Sequence, residues 1–173
     1  MFLCEKDDGW WPGDVLEYFD HMEASSGDDH LLRLTTRIPL TGPFDRSQEF
    51  QHGEKPTNGI GPSLHTFILP AYADSPEAEM DPLEMLLNPE DTTIEVSFIP
   101  FMPYDWVKWG VGNHMGDTEH TAMEFVNGVP SNVTAHYHES YNTKDYGKVE
   151  KHGDHPVTYN ARGTHATYFK HGR

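Results

Sequence analysis

From Thr92 to Phe101 apolar and polar residues alternate, with Ile94, Val96 and Phe98 on one side and Thr93, Glu95 and Ser97 on the other. Period two over a run of this length marks a half-buried strand. The period recurs from Thr121 to Val126, breaks at Asn127-Gly128 and returns from Val129 to Tyr137. Asn-Gly takes positive φ at both centres of a tight turn, so the two runs are predicted to pair as a hairpin, roughly 120–126 with 130–138. Counting outward from the turn brings Glu119 and His120 beside His136. Further strands are predicted over Leu64–Leu69, over Val157–Ala161 and over Ala166–Phe169, the last two flanking Arg162-Gly163-Thr164-His165.

Helical pattern is sparse. Asp14 precedes Val15, Leu16, Tyr18 and Phe19 and reads as the N-cap of a short helix. Asp81 to Leu87 predicts one or two turns that end before Asn88-Pro89. Residues 23–30 read as a polar surface loop, and 41–62, rich in glycine and proline, as a long loop covering a pocket. These elements predict a mainly β protein: an antiparallel β-sandwich with long loops and one or two short helices. Residues 1–173 are expected to form a single domain, loop-rich over 1–90 and β-rich over 91–173.

Composition narrows the function. The formal charge of −16 disfavours nucleic acid and anionic membrane surfaces as partners, and favours cations wherever carboxylates converge. One cysteine, Cys4, allows no internal disulfide. No apolar run approaches the ~20 residues that span a bilayer. The residues after Met1 lack the basic and apolar regions of a signal peptide, which favours an intracellular protein. Nothing indicates a nucleotide or organic cofactor, and oligomeric state is left open.

The chemistry concentrates late in the chain. His114-Met115-Gly116-Asp117-Thr118-Glu119-His120 sets two imidazoles and two carboxylates in seven positions. His136, His138, His152, His155, His165 and His171 follow. A single histidine is ordinarily a hydrogen-bonded structural group; clustering of ionisable groups is what points to a site. His114, Asp117, Glu119 and His120 form a candidate metal set. Their mixture of oxygen and nitrogen donors suits Zn or Mn, whereas Mg or Ca would draw on the carboxylates.

Three ordered blocks also carry a resemblance. The first is the His114–His120 heptad itself. The second runs from Phe125-Val126-Asn127-Gly128 to Ala135-His136-Tyr137-His138, and the third from His155-Pro156-Val157 through Gly163-Thr164-His165-Ala166-Thr167-Tyr168. Together, over Trp109 to Phe169, they resemble the C-terminal part of the family named for vacuolar protein sorting-associated protein sixty-two, found in fungi and plants. That family's hallmark is His-x-Gly-Asp-Trp-Glu-His, and here Thr118 stands in place of the tryptophan. The family name denotes a trafficking phenotype and implies no particular chemistry. The Gly-Asp-x-Glu core is also similar in site design to the heptad of necrosis-inducing secreted proteins, β-sandwiches that hold a divalent cation among His, Asp and Glu.

Two functions are compatible with these residues. In the first, the chain is a small-molecule enzyme with an acid–imidazole site, holding a divalent cation, at one end of the sandwich. Asp117 and Glu119 hold the ion or act as base, His136 or His165 shuttles a proton, and the substrate lies over Trp106, Trp109 and Tyr137. Hydrolysis, elimination, isomerisation and cyclisation all fit. In the second, the chain is a non-catalytic, cation-dependent carbohydrate- or lipid-binding module, with Trp10, Trp11, Trp106 and Trp109 as stacking surface.

Overall fold

The computed structural model describes residues 2–4, 11–26, 32–38, 40, 47–53, 64–70, 81–88, 90, 92–107 and 110–171. Trp10, Trp109 and most of the 41–62 loop lie outside them. The described chain is mainly β and divides into two compact units, each drawing on segments from either side of residue 90.

The first unit comprises residues 1–6, 64–99 and 119–173. Its main sheet contains β4 (Leu64–Pro70), the first half of β5 (Thr93–Asp105), β7 (Thr121–Val126), β8 (Val129–Tyr137) and β9 (Ser140–Asp145), adjacent in that order. β7 and β8 form the predicted hairpin, with Asn127 at φ 53° and Gly128 at φ 75° in the turn. The register shifts between Glu124 and Phe125, where Pro130 enters β8. β10 (Lys151–His152) and β11 (His155–Pro156) pair as a short antiparallel ladder. A second, three-stranded sheet pairs β1 (Phe2–Cys4), β12 (Thr158–Asn160) and β13 (Thr167–Tyr168), with β1 parallel to β12.

Side-chain alternation explains how the two sheets stack. Met123, Val133 and Ala135 share one face of the main sheet and are almost entirely buried. On that face Thr121 shares a hydroxyl–hydroxyl hydrogen bond with Thr158 of the small sheet (3.2 Å), and Tyr137 stacks on Tyr168 at 5.2 Å. The packing is sandwich-like. At the other end of the face, Met85 of α2 (Pro82–Leu87) packs on Ile94 and Val96. Each such side chain contributes about 1.5–3 kcal/mol when fully removed from water.

The second unit comprises residues 7–63 and 100–118. Asp14 caps α1 (Val15–Asp20), its Oδ1 accepting from the N–H groups of Leu16 and Glu17. A hairpin follows, β2 (Met22–Ser26) with β3 (Leu32–Thr36), so the 23–30 surface-loop reading is corrected over 23–26. Only Met22 of β2 is buried, which is why no apolar alternation announced the strand. The second half of β5 pairs antiparallel with β6 (His114–Thr118). The core of this unit is Tyr18, Met22 and Phe101, flanked by Val15, Phe50 and Met115.

Candidate metal centre and groove

Asp105 ends β5, His114 begins β6, and the two stand directly opposite in the ladder. The turn between them is internally tied: the Val107 N–H donates to Asn113 Oδ1 (2.7 Å), and Asn113 Nδ2 donates to the Tyr104 hydroxyl (3.3 Å). His114 is the first residue of β6.

In an unbroken strand His114 and Asp117, three residues apart, would face opposite ways. Gly116, at φ +68°, interrupts the alternation, and His114 Nε2 lies 3.7 Å from Asp117 Oδ2. His114 Nδ1 lies 2.8 Å from the Gly112 carbonyl oxygen and 3.8 Å from Asp105 Oδ2. A carbonyl can only accept, so Nδ1 carries a proton, and in the neutral ring the lone pair is left on Nε2 for a ligand. The Thr118 N–H holds Asp117 Oδ1 at 2.8 Å, leaving Oδ2 on the imidazole side. One ligand atom from each of Asp105, His114 and Asp117 falls within 4.8 Å of the others. Two carboxylates and a neutral imidazole are a donor set that fits Zn²⁺ or Mn²⁺.

Asp117, alone of the three, lines a groove of about 510 Å³, within the size range of small-molecule sites. Its walls include Tyr18, Met22, Leu34, Phe101 and Met115, and Gly116, Asp117 and Thr118 form its polar edge. A smaller cavity of about 330 Å³ has Tyr18, His21 and Phe50 in its wall, and there His21 stacks on Phe50 at 4.4 Å. Tyr18 lines both, and burial pushes its phenol pKa up to about 12.

The first unit holds a different pair. His120 and His136 stack at the open end of the β7–β8 hairpin, as the counting from Asn127-Gly128 predicted. Burial lowers the pKa of both. For His120 the neighbouring His136 lowers it further, while Glu95 works in the opposite direction.

The remaining candidates are dispersed. Glu119 is buried and belongs, like His120, to the first unit; among the described residues neither joins the three-residue ligand group. His165 is fully buried in the turn between β12 and β13, at φ +53°, and its carbonyl accepts from Asn160 Nδ2 (2.8 Å). Tyr137 is engaged with Tyr168 on the sandwich face, and Trp106 is half-buried outside the lining of both cavities. His138 leaves β8 for the following turn at φ +52° and so does not share a strand face with His136. Asp105, Gly116 and Tyr18 escaped the sequence reading. Asp105 stands alone in the chain, and a β5–β6 hairpin was the one signal that could have brought it to His114.

No family model matches the chain, and no solved structure does. Two curated yeast proteins do, both from Saccharomyces cerevisiae. The putative vacuolar protein sorting-associated protein TDA6 is 22% identical over 97% of this chain and 44% of its own length. Vacuolar protein sorting-associated protein 62 is 21% identical over 97% of this chain and 43% of its own length. The chain thus spans less than half the length of these relatives. Along nearly all of its own sequence, it is similar to yeast proteins named as vacuolar protein sorting-associated.

Proposed function

We propose that this chain is a small-molecule enzyme that works with a divalent cation held by Asp105, His114 and Asp117. The observation that carries the reading is the convergence of those three ligand atoms within 4.8 Å, with Asp117 also lining a groove of small-molecule size. The arrangement divides the work. Asp105 supplies a buried carboxylate from β5, while His114 and Asp117 supply partly exposed donors from β6. The Gly112 carbonyl holds the imidazole in the tautomer that can ligate. When bound, the cation would polarise an oxygen of the ligand and stabilise the negative charge that develops there. Hydrolysis, elimination, isomerisation and cyclisation all use such polarisation. The likeness to the yeast relatives supports an action within vacuolar protein sorting, a proposal of setting and not of chemistry.

Calorimetric titration with Mn²⁺ and Zn²⁺ tests the reading. The wild type is expected to bind one equivalent and to gain about 2.7 kcal/mol of stability at a metal concentration a hundredfold above Kd. Asp117→Asn and His114→Ala are expected to lose binding at least about tenfold, the usual scale for a lost ligand or its support. Without metal, the thermal midpoint of Asp117→Asn should stay at or above the wild-type value, because removing one of two converging carboxylates relieves repulsion. Failure of the wild type to respond to either ion, or to Mg²⁺ or Ca²⁺, ends the proposal.

A further inference from the structure

Tyr18 presents an unusual combination. Its ring is 6% exposed and packs edge-to-face on Phe101 (4.8 Å) and Phe50 (5.9 Å). Yet among the described residues its hydroxyl has no hydrogen-bond partner, and its oxygen is not one of the fully buried unpartnered polar atoms, so it keeps access to solvent. The residue lines the groove, and its oxygen lies 3.1 Å from where a Gly116 side chain would begin. Gly116 sits between the candidate ligands His114 and Asp117. The missing side chain therefore leaves room for a phenolic O–H at the polar edge of the groove, next to the cation site.

The walls say what else such a ligand must carry. Met22, Phe101 and Met115 make an apolar channel, and Leu34 of β3 stands at its side, 44% exposed. Two carboxylates and a neutral imidazole offset the charge of a divalent cation, so a singly charged head group meets a locally neutral site. The chain's net charge of −16 weighs against multiply charged heads such as phosphate monoesters.

Resting on the cation reading above, we propose that the groove binds an aliphatic monocarboxylate. Its chain lies along Met22, Leu34, Phe101 and Met115, and its carboxylate bridges the cation and the Tyr18 hydroxyl. Tyr18 is the donor that orients the head group; the apolar wall sets the preference for a chain over a short acid.

Decanoate is the probe, with acetate and decyl phosphate as comparators, titrated into the protein in saturating Mn²⁺. Decanoate is expected to bind, and acetate and decyl phosphate to bind at least about tenfold more weakly, given the apolar area that acetate lacks and the second charge on the phosphate. Tyr18→Phe keeps the ring packing and removes one hydrogen bond, an expected loss of about 3- to 10-fold in decanoate affinity. Leu34→Asn, on an exposed strand, removes apolar wall without adding charge and is expected to weaken decanoate by more than that. Circular dichroism checks that each variant is folded. If the protein binds Mn²⁺ but not decanoate, or if either variant binds decanoate like the wild type, this inference falls and the cation reading stands. If it binds no Mn²⁺, both fall.

Discussion

The imidazoles of His120 and His136 stack with centroids 3.5 Å apart and planes 23° from parallel, while the His136 N–H donates to the His120 carbonyl (3.1 Å). Two rings at that distance are comfortable only when uncharged, and both have pKa values below the ordinary 6.5. A histidine depressed in the folded state stabilises fully above the unfolded value. That stability is lost as pH falls through 6.5 toward the folded values, because the unfolded chain takes up protons first. The thermal midpoint is therefore expected to drop between about pH 8 and about pH 5.5. The drop should shrink in His136→Asn, which removes one of the two charges. Equal drops in the two proteins would show that the pair does not govern the acid response.

Gly116→Ala should be costly for a surface-edge position. The added Cβ would meet the Tyr18 oxygen at 3.1 Å and would hold φ +68°, a region that L residues rarely adopt. Urea unfolding is expected to report a loss of about 1–3 kcal/mol. Mn²⁺ affinity should fall with it, since the glycine is what turns Asp117 toward His114. An alanine variant of wild-type stability and affinity would show that neither the strain nor the turning matters.

Two positions on α2 give a matched comparison. Met85 is fully buried against Ile94 and Val96, whereas Leu87 is 70% exposed. Met85→Ala is expected to cost about 2–5 kcal/mol through lost burial and the cavity left behind. Leu87→Ala should stay within about 0.5 kcal/mol. Similar urea midpoints for the two variants would mean that α2 does not pack as described.

Elements whose two faces differ in polarity were legible in the sequence. β7 and β8 alternate, and Asn127-Gly128 announces their turn, so the pairing of His120 with His136 followed from counting. α1 was legible for a different reason, because Asp14 supplies the cap that a short helix needs. β6 was not. Gly112 and Gly116 look like loop punctuation, and its residues are mostly half-exposed, so no apolar face marked it. Pro103 hid the last residues of β5 in the same way, beyond Phe101 where the predicted strand stopped, since proline ordinarily argues against an interior strand. The candidate site suffered most from this. Its third ligand, Asp105, depends on a register between two strand segments that both carried breaker residues.

That register has a mechanical side. Asp105 and His114 are the last rung of the β5–β6 ladder; the chain leaves the sheet after Asp105 and re-enters it at His114. An ion joining the two side chains would close that excursion as a removable staple, shrinking the conformations open to the loop much as a covalent cross-link does. Chelation would then be felt first as loosening of Trp106 and its neighbours, well before the strands themselves part. A change in tryptophan fluorescence on chelation that is lost in Trp106→Phe would report the state of the staple.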